Sequence, residues 1–284
     1  HPRGVCPQEN MNSVRITGQT RIVTILAHPS HHVKAPAIYN SLFSQLDMDM
    51  AYISHDVAPE GLRETLRSFV GWENLAGFNV TVPHKESVVP FLDVACPITT
   101  RAGAVNTVVR QENGTLFGYN TDGLGALGAL GKVVGEHCLV IGAGGVARSI
   151  VDALLHKGAA QIWIIARSTS SRNKILDAFP SDRVAAFEDR VLGDVNILIQ
   201  ATPVSDVIPF SLDLGRLRKT VRILETVMQP TALSSAARKC SLSLIPGHAM
   251  LYHQTRKNFK LFTGRDLPSE LLNKTFESVG LWPL

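Results

Sequence analysis

Two groups of residues in this chain have types and spacing suited to chemistry, and a third holds residue types that could take part in it. The first is Val140-Ile141-Gly142-Ala143-Gly144-Gly145-Val146-Ala147, where an apolar run breaks into a glycine turn and continues as helix-like sequence. Gly142 suits a tight turn, Gly144 lets backbone approach a pyrophosphate, and Ala147 fills the third position of a G-x-G-x-x-G/A pattern, where a small residue lets helix pack on strand. Val146 opens the helix beside them. A turn that serves packing alone is the competing reading.

The second group follows the next apolar run, Ile162 to Ala166, as Arg167-Ser168-Thr169-Ser170-Ser171-Arg172. An acidic residue at the end of this strand would hydrogen-bond the ribose of NAD, whereas arginine accommodates the 2′-phosphate of NADP. Two arginines flank four hydroxyls here, a good setting for a dianionic phosphate. Arg167, Ser168 and Arg172 therefore point to NADP, with NAD possible if an acid arrives from a distant loop. A solvated polar loop is the bland alternative.

The third group lies in the first half: Asn79-Val80-Thr81-Val82-Pro83-His84-Lys85, Gly103-Ala104-Val105-Asn106-Thr107 and Asn120-Thr121-Asp122-Gly123. On spacing alone each is ordinary, because a lysine after a strand end is usually solvated and Asn-Thr-Asp-Gly is usually a turn.

The elements that must position these residues read as an α/β chain. The run 22–27 is a strand, and a helix is expected after Pro36. Strands at 50–53 and 75–82 flank an amphipathic helix over 61–69, and Lys85 to Leu92 reads as a helix start. Residues 104–110 and 115–119 form a hairpin about Glu112-Asn113-Gly114. The segment from Thr121 to Leu130 is rich in glycine, so its backbone must approach something closely, either another helix or another domain. Beyond it, strands at 138–141 and 162–166 enclose a helix over 146–155 that Gly158 ends, the size of a βαβ unit. Further strands are expected at 195–200, 222–224 and 242–245, with a last helical region from Ala249. The fold class is α/β: an N-terminal substrate domain, 11–120, joined to a doubly wound parallel-sheet (Rossmann) nucleotide domain, 121–247, with C-terminal helices over 248–284.

The totals narrow the function. With 284 residues, 45% hydrophobic and 18% charged, the chain suits two modest cores and has no long uncharged apolar run to span a bilayer. A net charge of +4, spread along the chain, gives no nucleic-acid surface. The expected partner is a small molecule, and the protein a monomer or homodimer. Cys6, Cys96, Cys138 and Cys240 show neither metal spacing nor a disulfide framework, so no metal is expected and a reducing, cytoplasmic setting fits. Residues 1–10 read as an appended segment rather than a secretory leader, with the start expected at Met11.

Taken together, N-V-T-V-P-x-K, G-A-V-N-T, N-T-D-G, G-A-G-G and the later Gly247-His248-Ala249-Met250-Leu251-Tyr252-His253-Gln254 occur in the order found in the shikimate/quinate dehydrogenase family, which the chain resembles from about Ile22 onward. The resemblance implies that Lys85 and Asp122 form a catalytic pair. It also implies that Asn79, Thr81, Asn106 and Gln254 hold hydroxyls of a cyclic polyol, and that the C-terminal helices return to the first domain. Ala201, Thr202 and Gly247 would line the cofactor together with the glycine turn. The implied activity is NADP-dependent interconversion of a ring alcohol and ketone. An NAD-linked quinate or shikimate enzyme and a non-enzymatic ligand sensor are the competing readings.

The chain departs from the family in one pocket. Two serines that hold a substrate carboxylate in the family are replaced by Val33 and Ala35, and a tyrosine that contacts the same group by Met228. A hydrogen bond to a charged group is worth about 1.5–3 kcal/mol, so two lost serines remove about 3–6 kcal/mol. Either a residue such as His32, beside His28, His31 and Lys34, binds the carboxylate differently, or the substrate has none there. Ser205 replaces a family glycine in the Ala201-Thr202-Pro203 loop.

Overall fold

The β-branched and apolar runs form strands where burial on both faces favours them. The computed structural model describes residues 16–282, so Cys6 and the expectations of an appended segment over 1–10 and of a start at Met11 lie outside the described residues. The first half holds β1 (Arg21–Ala27), α1 (Ala35–Gln45), β2 (Met50–Asp56), α2 (Leu62–Val70), β3 (Leu75–Val80), β4 (Val94–Ala95), α3 (Pro97–Ala102), β5 (Thr107–Arg110) and β6 (Leu116–Tyr119). The second half runs α4 (Asp122–Leu130), β7 (His137–Ile141), α5 (Gly145–Lys157), β8 (Gln161–Ile165), α6 (Thr169–Ala178), β9 (Val184–Ala186), β10 (Ile197–Gln200), β11 (Arg222–Glu225), α7 (Ala232–Lys239), β12 (Ser243–Ile245), α8 (Gly247–Thr263) and α9 (Ser269–Ser278).

Two six-stranded sheets result. The first has the order β2-β1-β3-β5-β6-β4, parallel through β2, β1 and β3 and antiparallel where β5 meets β3 and β6. The second, β12-β11-β10-β7-β8-β9, is parallel throughout. Its order reverses between β7 and β10, and open α/β sheets bind ligands beyond the strand ends at such a switch point. The glycine turn leaves β7 there.

The expected helix over Lys85 to Leu92 is not formed. Val88 N–H reaches the His84 carbonyl, but the chain then tightens into a 3-10 turn at Val89–Phe91. Pro90 has no N–H to donate at that point, and the residue ahead of it is disfavoured in helix. Lys85 consequently sits on a short, sharply turned loop. Residues 169–178, part of the polar run that followed the second apolar strand, are helical, with Ser168 as the N-cap accepting from the Ser171 N–H at 3.1 Å. The short β4, α3 and the helix α7 were not anticipated from the sequence, and α9 falls within the expected C-terminal helices.

The glycines of α4 explain that segment's composition. A Cβ on Gly123 would lie 2.4 Å from the Ser149 carbonyl oxygen, and Cβ atoms on Gly125 and Gly128 would meet Gln254 and His253 at 2.6 and 2.3 Å. Both α5 and α8 therefore press directly on the α4 backbone. Helix α8 joins two cores: Met250 packs with Val140 and Ile150 around the second sheet, while Tyr252, Phe259 and Phe262 pack with Val23, Tyr39 and Phe43 against the first. Among the described residues no helix is long and apolar enough to cross a membrane.

Candidate active site

Asp122 begins α4 and is 1% exposed. A buried carboxylate is tolerated only when its oxygens are paired. The Lys85 Nζ lies 2.9 and 2.8 Å from Oδ1 and Oδ2, and the Asn106 and Gln254 amides donate to Oδ1 at 3.0 and 2.8 Å. Lys85 comes from the loop after β3, Asn106 from the residue just before β5 and Gln254 from α8. Three residues expected at the site thus converge, from three parts of the chain, on the carboxylate of a fourth.

Backbone contacts fix the loop that carries Lys85. Its carbonyl accepts the Val105 N–H at 2.9 Å, and the neighbouring His84 ring, 1% exposed, meets the Val57 carbonyl at 2.7 Å. On the other side, Asn120 accepts the Asp122 N–H through its side-chain oxygen and donates to the Ala104 carbonyl. The Gly103-Ala104-Val105-Asn106 and Asn120-Thr121-Asp122 segments therefore brace each other.

Asn79 is buried at the end of β3 with its amide already engaged: Oδ1 accepts from the Tyr52 hydroxyl at 2.7 Å, and Nδ2 donates to the Asn106 carbonyl and the Thr107 hydroxyl. Thr81 is half-buried two residues later. His32 is exposed, packed edge to face with His31 at 5.7 Å, and has no hydrogen bond to the Lys85 cluster. Its neighbour His28 pairs with Asp56 at 2.8 Å, an interaction that lowers the Asp56 pKa. Val33 is half-buried against the α1 core, Ala35 is buried, and Met228 is 38% exposed.

The glycine turn has room for an anionic group. Gly142 adopts φ +119°, with the Ala201 carbonyl 2.8 Å and the Thr202 methyl 2.9 Å from where a Cβ would stand. Gly144, by contrast, faces open space, as close approach of a pyrophosphate to backbone requires. Ala143 and Val146 are half-buried beside it. Gly145 is buried against Ala104, 2.4 Å from its absent Cβ, so its smallness serves contact between the two halves. Gly247 likewise lies beneath the carbonyls of Glu225, Thr226 and Val227. Arg167 and Ser168 are exposed beyond β8, and the buried Nε of Arg172 has no hydrogen-bond partner among the described residues. These residues fit a phosphorylated dinucleotide. No group of histidine, cysteine and acidic residues able to hold a metal occurs among the described residues.

Several contributors escaped sequence reasoning. Tyr52, Thr107 and Asn258 support Asn79 and Asn106, the Asn258 oxygen accepting from the hydroxyls of Thr107 and Thr121. Thr107 ends the G-A-V-N-T motif but was given no role there, whereas Tyr52 and Asn258 carry no local motif and only the fold joins them. Arg148 had a usable signal, a cation one turn into the helix that leaves the glycine turn.

Comparison with known proteins agrees with this geometry. Residues 25–108 match the shikimate dehydrogenase substrate binding domain, and residues 126–222 match the shikimate / quinate 5-dehydrogenase model. A shikimate dehydrogenase (NADP(+)) of Methanosphaera stadtmanae is 30% identical over 91% of this chain and 97% of its own. The shikimate dehydrogenase structure from Aquifex aeolicus superposes with a TM-score of 0.84 at 27% identity, covering 92% of this chain and 99% of that one. The ligand-free 5-ketofructose reductase of a Gluconobacter strain does so with a TM-score of 0.78 at 27% identity, with the same coverage of 92% and 99%. With both halves matched in order and the relatives covered almost end to end, the chain belongs to the shikimate dehydrogenase family.

Proposed function

We propose that this protein is an NADP-dependent oxidoreductase that interconverts a ring alcohol and a ketone on a shikimate-like cyclic polyol. Residues 11–120 bind the substrate, 121–247 bind the nucleotide, and 248–284 return to close the site. The observation that carries this reading is the Lys85–Asp122 pair, held at 2.8 Å. When bound, NADP supplies the hydride chemistry, and the protein must manage the proton.

In the direction of reduction, Lys85 delivers a proton to the carbonyl oxygen as that oxygen gains charge. In oxidation it accepts the hydroxyl proton. Asp122 holds the amine in place and, with Gln254, Asn106 and Thr81, orients the hydroxyls of the ring. Asn79 acts through Asn106 and Thr107, which its amide braces. Gly142, Ala143, Gly144, Gly145, Val146, Ala201, Thr202 and Gly247 shape the nucleotide bed, while Arg167, Ser168 and Arg172 receive the 2′-phosphate. A reducing compartment such as the cytoplasm suits a chain whose four cysteines show no disulfide spacing.

A second reading of the substrate rests on Val33, Ala35 and Met228, none of which offers a donor to a carboxylate. The similar 5-ketofructose reductase is named for a ketose, a substrate class without that group. A carboxylate-free polyol or ketose therefore competes with shikimate, and His32 has a role only if a carboxylate is present.

Turnover of shikimate, quinate and carboxylate-free polyols and ketoses, measured with NADP and NAD in wild type and Lys85→Met, tests the proposal. Loss of turnover in Lys85→Met with nucleotide binding retained supports it. Near-normal turnover in that variant overturns the proton-transfer role of Lys85, and no turnover of any alcohol or ketone by a wild type that binds nucleotide overturns the proposal and favours a ligand sensor.

A further inference from the structure

Arg148, in the first turn of α5, joins three parts of the molecule. Its Nη1 donates to the Ala143 carbonyl within the glycine turn at 2.9 Å, and its Nε donates to the Ala102 carbonyl at the end of α3 at 2.5 Å. Its Nη2 meets the Glu86 carboxylate at 2.7 Å. Glu86 is the residue after Lys85. The Arg148 side chain is only 15% exposed, so these partners satisfy a cation that would otherwise be expensive to bury.

One turn further along α5, Asp152 takes Arg101 through two contacts of 2.5 and 3.0 Å. The helix thus offers α3 and the Lys85 loop a cation and then an anion, over a backbone brought close by Gly145 and Ala104. The Arg148–Glu86 pair adds little stability by itself, because Glu86 is 56% exposed. Its significance is geometric. A planar guanidinium with three fixed partners transmits a displacement at one of them to the others, which a lysine at the same position, with a single nitrogen, does not reproduce.

We infer that Arg148 is a positioning residue that couples the glycine turn to Lys85 through Glu86, so that a nucleotide settling at the turn sets the Lys85 amine for proton transfer. This rests on the dehydrogenase reading above. The coupling acts on the reactivity of Lys85 rather than on nucleotide affinity, and the reciprocity that links two binding equilibria does not extend to such a rate.

The test compares wild type with Arg148→Met, Arg148→Lys, Glu86→Gln and the Arg148→Met/Glu86→Gln double variant. NADP affinity is measured by calorimetry, and the rate of Lys85 labelling by an amine-directed arylating reagent is followed with and without NADP by peptide mass spectrometry. Turnover as a function of pH is recorded alongside. In wild type NADP changes the Lys85 labelling rate; in Glu86→Gln that response is lost while NADP affinity stays within about threefold, a difference of less than 0.7 kcal/mol. Turnover falls about tenfold or more in each single variant, its pH profile moves, and the double variant is no worse than the poorer single one, as expected for two residues acting as a unit. Arg148→Lys does not restore the response. An unchanged labelling response and pH profile in Glu86→Gln overturns the coupling even if Arg148→Met fails to fold, as does a wild-type labelling rate indifferent to bound NADP. Failure of wild type to bind NADP overturns the dehydrogenase reading and the coupling with it.

Discussion

Gln254 reaches from α8 to place its amide 2.8 Å from Asp122 Oδ1, the oxygen that also accepts from Lys85 and Asn106. A hydrogen bond to a charged group contributes about 1.5–3 kcal/mol, so Gln254→Ala is expected to lower kcat/KM by roughly ten- to a hundredfold. Gln254→Glu is expected to be worse, because it sets a second negative charge against the first. Steady-state kinetics of the two variants check the order.

Asp122→Asn keeps the size of the side chain and removes its charge. Lys85 then loses its counter-ion and its fixed direction, and turnover is expected to fall by about 10²–10⁴, the range for general acid–base catalysis. NADP affinity, measured by fluorescence titration, should stay near wild type, since the glycine turn is untouched.

Glycines on either side of the cleft are expected to respond differently. A Cβ at position 123 collides with the Ser149 carbonyl and with Ala153 Cβ at 2.7 Å, so Gly123→Ala should cost about 1–3 kcal/mol of stability. A Cβ at position 144 meets nothing within 4 Å, and Gly144→Ala should leave stability alone while weakening NADP binding by about tenfold, or 1.4 kcal/mol. Denaturant titration and nucleotide titration of both variants separate the two effects.

The sequence reading was most successful where a local requirement produces a residue pattern. The doubly wound second sheet was legible because buried parallel strands read as apolar runs, and the turn between them needed Gly142 at positive φ. Lys85, Asp122, Asn106 and Gln254 were picked out through a resemblance, since nothing in their spacing places residues 85 and 254 beside one carboxylate. The helix expected to start at Lys85 is not formed, because Pro90 lacks the N–H that a regular helix would need there and the chain tightens into a 3-10 turn instead. Tyr52 and Asn258 stayed hidden because their partners are set by sheet register and by the docking of α8, which are properties of the whole chain.

Arg167 and Arg172 flank the cap of α6, and the Nε of Arg172 is buried without a partner among the described residues. Replacing both with alanine removes two cations from a dianionic phosphate. At about 1.5–3 kcal/mol for each charged hydrogen bond, NADP affinity should fall by at least roughly tenfold per arginine while NAD affinity changes little. Calorimetry with both nucleotides reads the ratio.

Cys138, on β7, is fully buried, and that burial pushes its thiol up to about 12 from an ordinary value of 9.0. Because the folded value lies above the unfolded one, the contribution to stability is fully present below pH 9.0 and is lost as pH rises towards about 12. Stability over that window should fall more steeply in wild type than in Cys138→Val, as measured by denaturant midpoints. At pH 8 the native thiol should resist aromatic disulfide reagents until the protein is unfolded.

Helix α8 threads Met250 into one core and Phe259 into the other, and lends Gln254 to the site between them. A chain emerging from the ribosome therefore presents Lys85, Asp122 and the glycine turn long before it has the segment that locks them into register. A product shortened before residue 247 would hold most of the chemical groups without the means to align them.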